Sequence, residues 1–366
     1  PLAKNARFEA GFKSSIVRTD NNALYDSVQN AVLVPDVTRS NYFIYEENIN
    51  AAYVNVVKPF NKKLSGQLGL RLENTNATGR QLTNNKNFDR HYTQLFPTAY
   101  LQYKHNDKNT FVINYGKRVQ RPNYQSLNPF IRFIDRYTYS EGNPNLMPAM
   151  SNNIELTHNY ANKFTTTLNY TATNDIINQV IEQQDRVAYA RPSNIASLRQ
   201  VGMAISANNN LAKWWKSNIN VNVFHNRNRG VVNNAPVDLS ATSYIINATQ
   251  QFKITNTFSA EISARYRSGW LEGVLQAEPV GFVWAGVSQQ VMKKKGTIRL
   301  TVRDIFYTQK FKGSARYGNV DFRLQEVNDS RMLILGLTYQ FSKGKKVAPV
   351  KRTPGSADEA EGRIDQ

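Results

Sequence analysis

LSGQLGLRLE, residues 64–73, sets apolar residues or glycine at its even positions and mostly polar residues at its odd ones. Successive side chains of a strand point to opposite faces, so this stretch predicts a strand with one apolar and one polar face. The same reading fits Ile219, Val221 and Val223 against Asn218, Asn220 and Asn222. It also fits Phe258, Ala260, Ile262, Ala264 and Tyr266 against Ser259, Glu261, Ser263, Arg265 and Arg267, and Ile298, Leu300 and Val302 against Arg299, Thr301 and Arg303. An all-β chain follows.

Alternation alone does not separate a soluble sandwich from a membrane barrel, since each has a wet and a dry face. Strand length is the first discriminator. Many alternating segments run to about 12–20 residues, whereas globular strands have about 5–6 and a tilted membrane strand needs about 9–11. The second is the parity of the connections. Short ones fall near Pro59–Lys62, His105–Lys108, Ala161–Asn162, Leu211–Trp214, Lys253–Ile254 and Lys293–Gly296. Longer ones alternate with them at Arg18–Arg39, Asn76–Asn87, Pro122–Pro144, Gln183–Asn194, Gly230–Val237 and Trp270–Glu278. A short-turn rim and a long-loop rim are what an up-and-down outer-membrane barrel has, with the short turns in the periplasm. The third is a cluster of rings near the short turns, among them Phe60, Tyr103, Phe111, Tyr160, Phe164, Trp214, Trp215, Phe252 and Phe258. Amphipathic rings placed there form an interfacial girdle.

The sequence thus predicts a transmembrane antiparallel up-and-down β-barrel of about fourteen strands, from near Lys4 through Phe341, with the barrel over residues 1–344. The opening at Pro1, without Met or leader, favours the C-terminal portion of a larger barrel, because an open sheet would leave unpaired edges in lipid. Residues 345–366 read as a flexible periplasmic tail.

Composition limits function. The chain has 366 residues, no Cys and a mean hydropathy of −0.54, which excludes disulfides, Cys-ligated metals and helical membrane spans. The net charge of +19 is spread along the chain, with one tight run at Lys293–Lys295, so no nucleic-acid partner is expected. Outer-membrane lipid and polyanionic lipopolysaccharide fit the charge better. His91, His105, His158 and His225 are far apart in sequence, and no HExxH, Walker, GxSxG or GxGxxG motif occurs. No enzymatic activity, cofactor or metal is expected.

One segment breaks the alternation. RPNYQSLNPFIRFIDRYTYSEGNPNL, residues 121–146, is rich in proline, asparagine and rings, with turn signals at Asn128–Pro129 and Gly142–Pro144. Parity places it on the long-loop, extracellular rim. Phe130, Ile131, Phe133, Ile134, Tyr137 and Tyr139 are expected to pack on the upper wall or on neighbouring loops as an ordered lobe. Arg132, Arg136, Tyr137 and Tyr139 are the candidates for ligand contact, with structural packing as the other role open to them.

Residues 113–160, containing this segment, resemble the signature of the Bacteroidetes outer-membrane β-barrel family within the TonB-dependent receptor superfamily. SNYFIYEENINAAYV (40–54), VRDIFYTQKF (302–311) and RMLILGLTYQF (331–341) resemble its other recurring stretches. The resemblance implies a 22-stranded barrel, a plug domain and a segment contacting a TonB-type energy-coupling protein, the last two in an N-terminal part not in this sequence. Gly336, Tyr339 and Phe341 resemble the signal read by the barrel-assembly machinery, although Ile334 replaces its usual polar residue and Phe341 does not end the chain.

The alternation turns Arg71, Arg265, Arg267, Arg299 and Arg303 toward the lumen. Two readings stay open for them: pairing with plug carboxylates or hydrating the wall, or a cationic lumen favouring anionic cargo. Two functions are likewise open: energised uptake of an unknown nutrient ligand, or a surface interaction and assembly platform or passive porin.

Overall fold

Among the described residues, the alternating segments form fourteen antiparallel strands in a single meander. The computed structural model describes residues 5–37, 39–83, 87–134, 137–232, 235–318, 320–341 and Arg363. The strands are β1 (Arg7–Ala23), β2 (Asn41–Pro59), β3 (Leu64–Gln81), β4 (Phe88–Lys104), β5 (Asn109–Gln120), β6 (Ala149–Tyr160) and β7 (Phe164–Gln184). There follow β8 (Val187–Ala212), β9 (Trp215–Val232), β10 (Ala235–Lys253), β11 (Phe258–Arg267), β12 (Val280–Val291), β13 (Gly296–Arg303) and β14 (Met332–Tyr339). Each pairs with its neighbours in sequence order, and among the described residues β1 and β14 end the path without pairing to each other.

Register confirms the two faces. Directly opposed residues share a side of a sheet. Arg71 opposes Tyr53 and Phe96, Arg265 opposes Asn247 and Phe282, and Arg299 opposes Ser288. Followed strand by strand, these positions lie on one polar face, which also carries Arg267 and Arg303. The other face is an apolar band open to the surroundings, with Leu68 67%, Val201 58% and Leu337 73% exposed. Bands of that size persist only where something apolar covers them, and a bilayer does so. Phe60, Trp214 and Phe164 stand exposed at the short-turn edge of the band, and the ring centres of Trp214, Trp215 and Phe252 lie 5.9–6.1 Å apart.

Two expected loops are strands instead. β7 and β8 run to Gln184 and from Val187, with pairs continuing from Ile176↔Ile195 to Gln184↔Val187, and β9 and β10 run to Val232 and from Ala235. These extensions exceed what a bilayer requires, so their outward side is wet and need not be apolar. They enclose a cluster of Ile176, Val180, Ile195, Val232, Val237 and Val274. Pro192, which would interrupt a central strand, lies opposite Gln179 in a part of β8 that β9 does not reach. The connection beginning at Asn76 is also shorter than expected, because β3 continues to Gln81.

The remaining long connections build their own structure on one rim. Trp270–Glu272, Leu275–Ala277, Lys310–Tyr317 and Val320–Val327 form a four-stranded sheet. It is tied to the extended wall by Tyr317, whose hydroxyl bonds the Ile181 carbonyl and accepts from the Ile181 amide at 2.9 Å. Burial pushes this phenol up to about 12.

Candidate ligand-facing surface

The segment 121–148 connects β5 to β6 on the long-loop rim, as parity predicts. Asn123 caps a one-turn helix, Tyr124–Leu127, through a 2.7 Å bond from the Ser126 amide. The helix buries Tyr124 and Leu127, and with Leu146 they join Phe43, Tyr45 and Ala77 of the wall in one cluster. Burial pushes the Tyr124 phenol up.

Polar ties complete the anchorage. Arg90 of β4 donates to the carbonyls of Pro144 and Leu146. Asn194 of β8 accepts from the Met147 amide at 2.8 Å and donates to its carbonyl at 2.9 Å, and Asn41 donates to Asn128 at 2.8 Å. Gly142 passes so near the helix that a Cβ there would fall on the Asn128 carbonyl oxygen. Gly142→Ala is therefore expected to destabilise the lobe by about 1–3 kcal/mol, seen as faster proteolytic nicking within 121–148 in an otherwise folded barrel.

The tip of the segment does not pack as expected. Phe130 stacks on Tyr25 at 5.8 Å, and Tyr139 lies against Phe133 and Tyr189 at 4.7 and 5.6 Å. Ile131, Phe133, Ile134 and Tyr137 are exposed, Ile134 by 60% and Tyr137 by 52%. The lobe is held by its helix and its C-terminal arm, and the hairpin Ile131–Phe133 with Thr138–Glu141 projects from it. Thr138–Ser140 runs parallel to Ala188–Ala190 of β8, which fixes the hairpin's base while leaving one side open. Among the ligand-contact candidates, Arg132 and Tyr137 are exposed and Tyr139 is half-buried, while Arg136 lies outside the described residues.

The polar face separates the five arginines into two groups. Arg71 donates to Glu73 at 2.9 and 2.5 Å, and Arg267 lies 3.8 Å from the ring centre of buried Trp270. Arg265, Arg299 and Arg303 are exposed and make no ion pair among the described residues. Arg299 borders a cleft of about 750 Å³ shared with Trp215, Lys216, Glu261 and Trp284.

A charged cluster not singled out in the sequence lies where this face meets the lobe. Glu73 is 5% exposed and also pairs with Arg121, the first residue of the mouth segment; Arg121 bonds Thr75 as well. Glu47, 4% exposed, accepts from Tyr45 at 2.8 Å and is gripped by Arg363 at 2.6 and 3.1 Å. The Arg363 guanidinium lies 4.8 Å from the Tyr124 ring centre and donates to the Pro122 carbonyl. Of the segment read as a periplasmic tail, residues 345–362 and 364–366 lie outside the described residues, so Arg363 alone is placed. A carboxylate on the polar face of a strand, as Glu47 and Glu73 both are, was the signal available in the sequence.

The two-faced meander, its aromatic edge and its long-loop rim agree with a family comparison, in which residues 1–339 match the model of the outer membrane protein beta-barrel family. The chain belongs to that family. This outer-membrane barrel resembles the ferric yersiniabactin uptake receptor FyuA from Yersinia pestis with a TM-score of 0.64 at 15% identity, over 93% of this chain and 52% of that one. It resembles the copper transporter OprC with a TM-score of 0.63 at 12% identity, over 91% of this chain and 55% of that one. For the ferric-catecholate import receptor Fiu from K12 E. coli the TM-score is 0.63 at 14% identity, over 92% and 52%. The chain spans about half the length of these solved structures, and at such identities the likeness is one of fold. No curated protein sequence matches the chain significantly. The barrel's place is the outer membrane, where the apolar band has lipid to cover it.

Proposed function

We propose that this barrel is the wall and mouth of an energised uptake receptor, in which a nutrient ligand met at the long-loop rim passes through a plugged lumen. A TonB-type energy-coupling protein would act through a part of the protein N-terminal to this chain. The observation that carries the reading is the polar face, continuous across fourteen strands and capped at one end by a lobe anchored to the wall. The likeness of fold to metal and siderophore uptake receptors supports it. Exposed Arg265, Arg299 and Arg303 favour anionic cargo.

The test compares cells with and without the full-length gene for accumulation of radiolabelled iron chelates, copper, oligosaccharides and peptides, each with and without a protonophore. Gene-dependent, protonophore-sensitive accumulation of one class is the expected result. Accumulation that is gene-dependent yet insensitive would point to a passive pore. The exposed Ile131, Phe133, Ile134 and Tyr137 favour a second reading, a surface docking platform, for which no probe would accumulate and a bound extracellular protein would be lost on deleting residues 131–139. Gly336, Tyr339 and Phe341 lie on or just beyond β14, which has β13 as its one described ladder partner. Their place on the last strand of the ladder supports their reading as the signal engaged by the barrel-assembly machinery.

A further inference from the structure

The basic residues that look dispersed along the sequence are sorted by the fold. The six short turns with the strand ends that flank them, residues 58–63, 104–108, 160–164, 212–216, 253–258 and 291–296, together carry twelve lysines, eight of them in the turns proper, no arginine and a single carboxylate, Asp107. Each of these stretches contributes at least one lysine, and all twelve are exposed. The long connections of the opposite rim, residues 24–40, 82–87, 121–148, 185–186, 233–234, 268–279 and 304–331, carry eleven basic and eleven acidic residues. One rim is a nearly pure lysine ring and the other is balanced. Solubility alone would require no such asymmetry.

The ring also lies at a defined depth. It directly adjoins the girdle of Phe60, Phe164 and Trp214 at the edge of the apolar band, and Lys58 sits 5.5 Å from the ring centre of Phe60. A lysine stem can follow such apolar surface while its ammonium reaches the headgroup layer. Lys104 is occupied by Asp107 at 2.9 Å, whereas Lys62, Lys63 and Lys293–Lys295 form no ion pair among the described residues. Lysine is a compact point charge on a flexible stem, suited to phosphates that move laterally, whereas a fixed carboxylate or phosphate is matched better by the arginine fork.

We infer that the short-turn rim is a lysine collar that binds the phosphate headgroups of anionic glycerophospholipid in the periplasmic leaflet. The collar gathers these lipids around the base of the barrel and sets its depth in the bilayer. The inference rests on the orientation of the barrel and not on transport, so it stands or falls separately from the uptake reading.

The test places full-length protein in nanodiscs of phosphatidylethanolamine containing a minor fraction of phosphatidylglycerol and measures co-retained lipid by native mass spectrometry. Wild type is expected to retain phosphatidylglycerol in preference to phosphatidylethanolamine. A variant with Lys62, Lys63, Lys293, Lys294 and Lys295 changed to glutamine should lose that preference by roughly tenfold or more, since each lysine at an anionic surface contributes about 1 kcal/mol at most. The corresponding arginine variant should keep it, and Lys310→Gln with Lys312→Gln on the other rim should leave it unchanged. Folding of each variant is checked by heat-dependent gel mobility. Undiminished retention by a folded glutamine variant would overturn the inference. So would equal loss from the Lys310 and Lys312 variant, or binding of the collar to isolated peptidoglycan without any lipid preference.

Discussion

Glu73→Ala is expected to destabilise the barrel by about 3–5 kcal/mol, because it leaves two partly or largely buried guanidiniums without their shared carboxylate. Arg121 and Arg71 meet the two different oxygens of Glu73, one from the mouth segment and one from the same strand. Removing the carboxylate strands both charges, and Arg121 retains Thr75 as a remaining acceptor. Glu73→Gln keeps the volume and one acceptor oxygen but not the charge, so its cost should fall between wild type and alanine. The readouts are the temperature at which the folded gel species is lost and the rate of proteolytic cleavage in residues 121–148. Both should move together, since Arg121 joins the wall to the lobe. A change in thermal stability with an unchanged cleavage rate would mean that the pair holds the wall alone.

Leu146→Ala should release the mouth lobe while leaving the barrel intact. Leu146 is fully buried and Leu127 is 2% exposed, and both pack with Tyr45 and Phe43 of β2. Truncating such a side chain costs about 2–5 kcal/mol, the range depending on how far the surroundings collapse into the space. The cost is local, because the barrel's fourteen-strand ladder does not pass through Leu146. Hydrogen exchange should therefore accelerate at residues 122–148, with little change at β5 and β6. Equal acceleration in those strands would show that the lobe is integral to the wall and not docked on it.

How much of this was legible in the sequence differs by physical cause. The faces were legible because the period of two is enforced on every strand by the difference between lipid and lumen, and Leu68, Leu70 and Leu72 against Arg71 and Glu73 report it directly. The loop rim was legible because parity in a meander leaves no choice. The strand extensions around Asp185 and beyond Gly230 were not, since outside the bilayer the outward positions can be polar and the alternation loses contrast. Val180 and Ile195 are buried in a cluster with Val274 of a mouth connection, a neighbour that no local pattern names.

The exposed hairpin tip was misjudged for a different reason. Residue chemistry says that Phe133 and Ile134 gain from burial, but only the fold decides whether a surface is there to bury them. The Glu73–Arg121 pair joins residues 48 apart in sequence, which no local pattern foretells. The lysine collar became visible once charge was assigned to rims, because turns distant in sequence come together at one end of a meander.

The two-faced barrel wall is tested most directly by single cysteines, introduced singly into this cysteine-free chain within the full-length protein and carrying a fluorescent label. Brominated lipid should quench labels at Leu70, Val201 and Ile262 and spare those at Arg71, Gln200 and Arg265. Equal quenching at both sets, or the reverse order, would contradict the assignment of the apolar face to lipid and the polar face to the lumen.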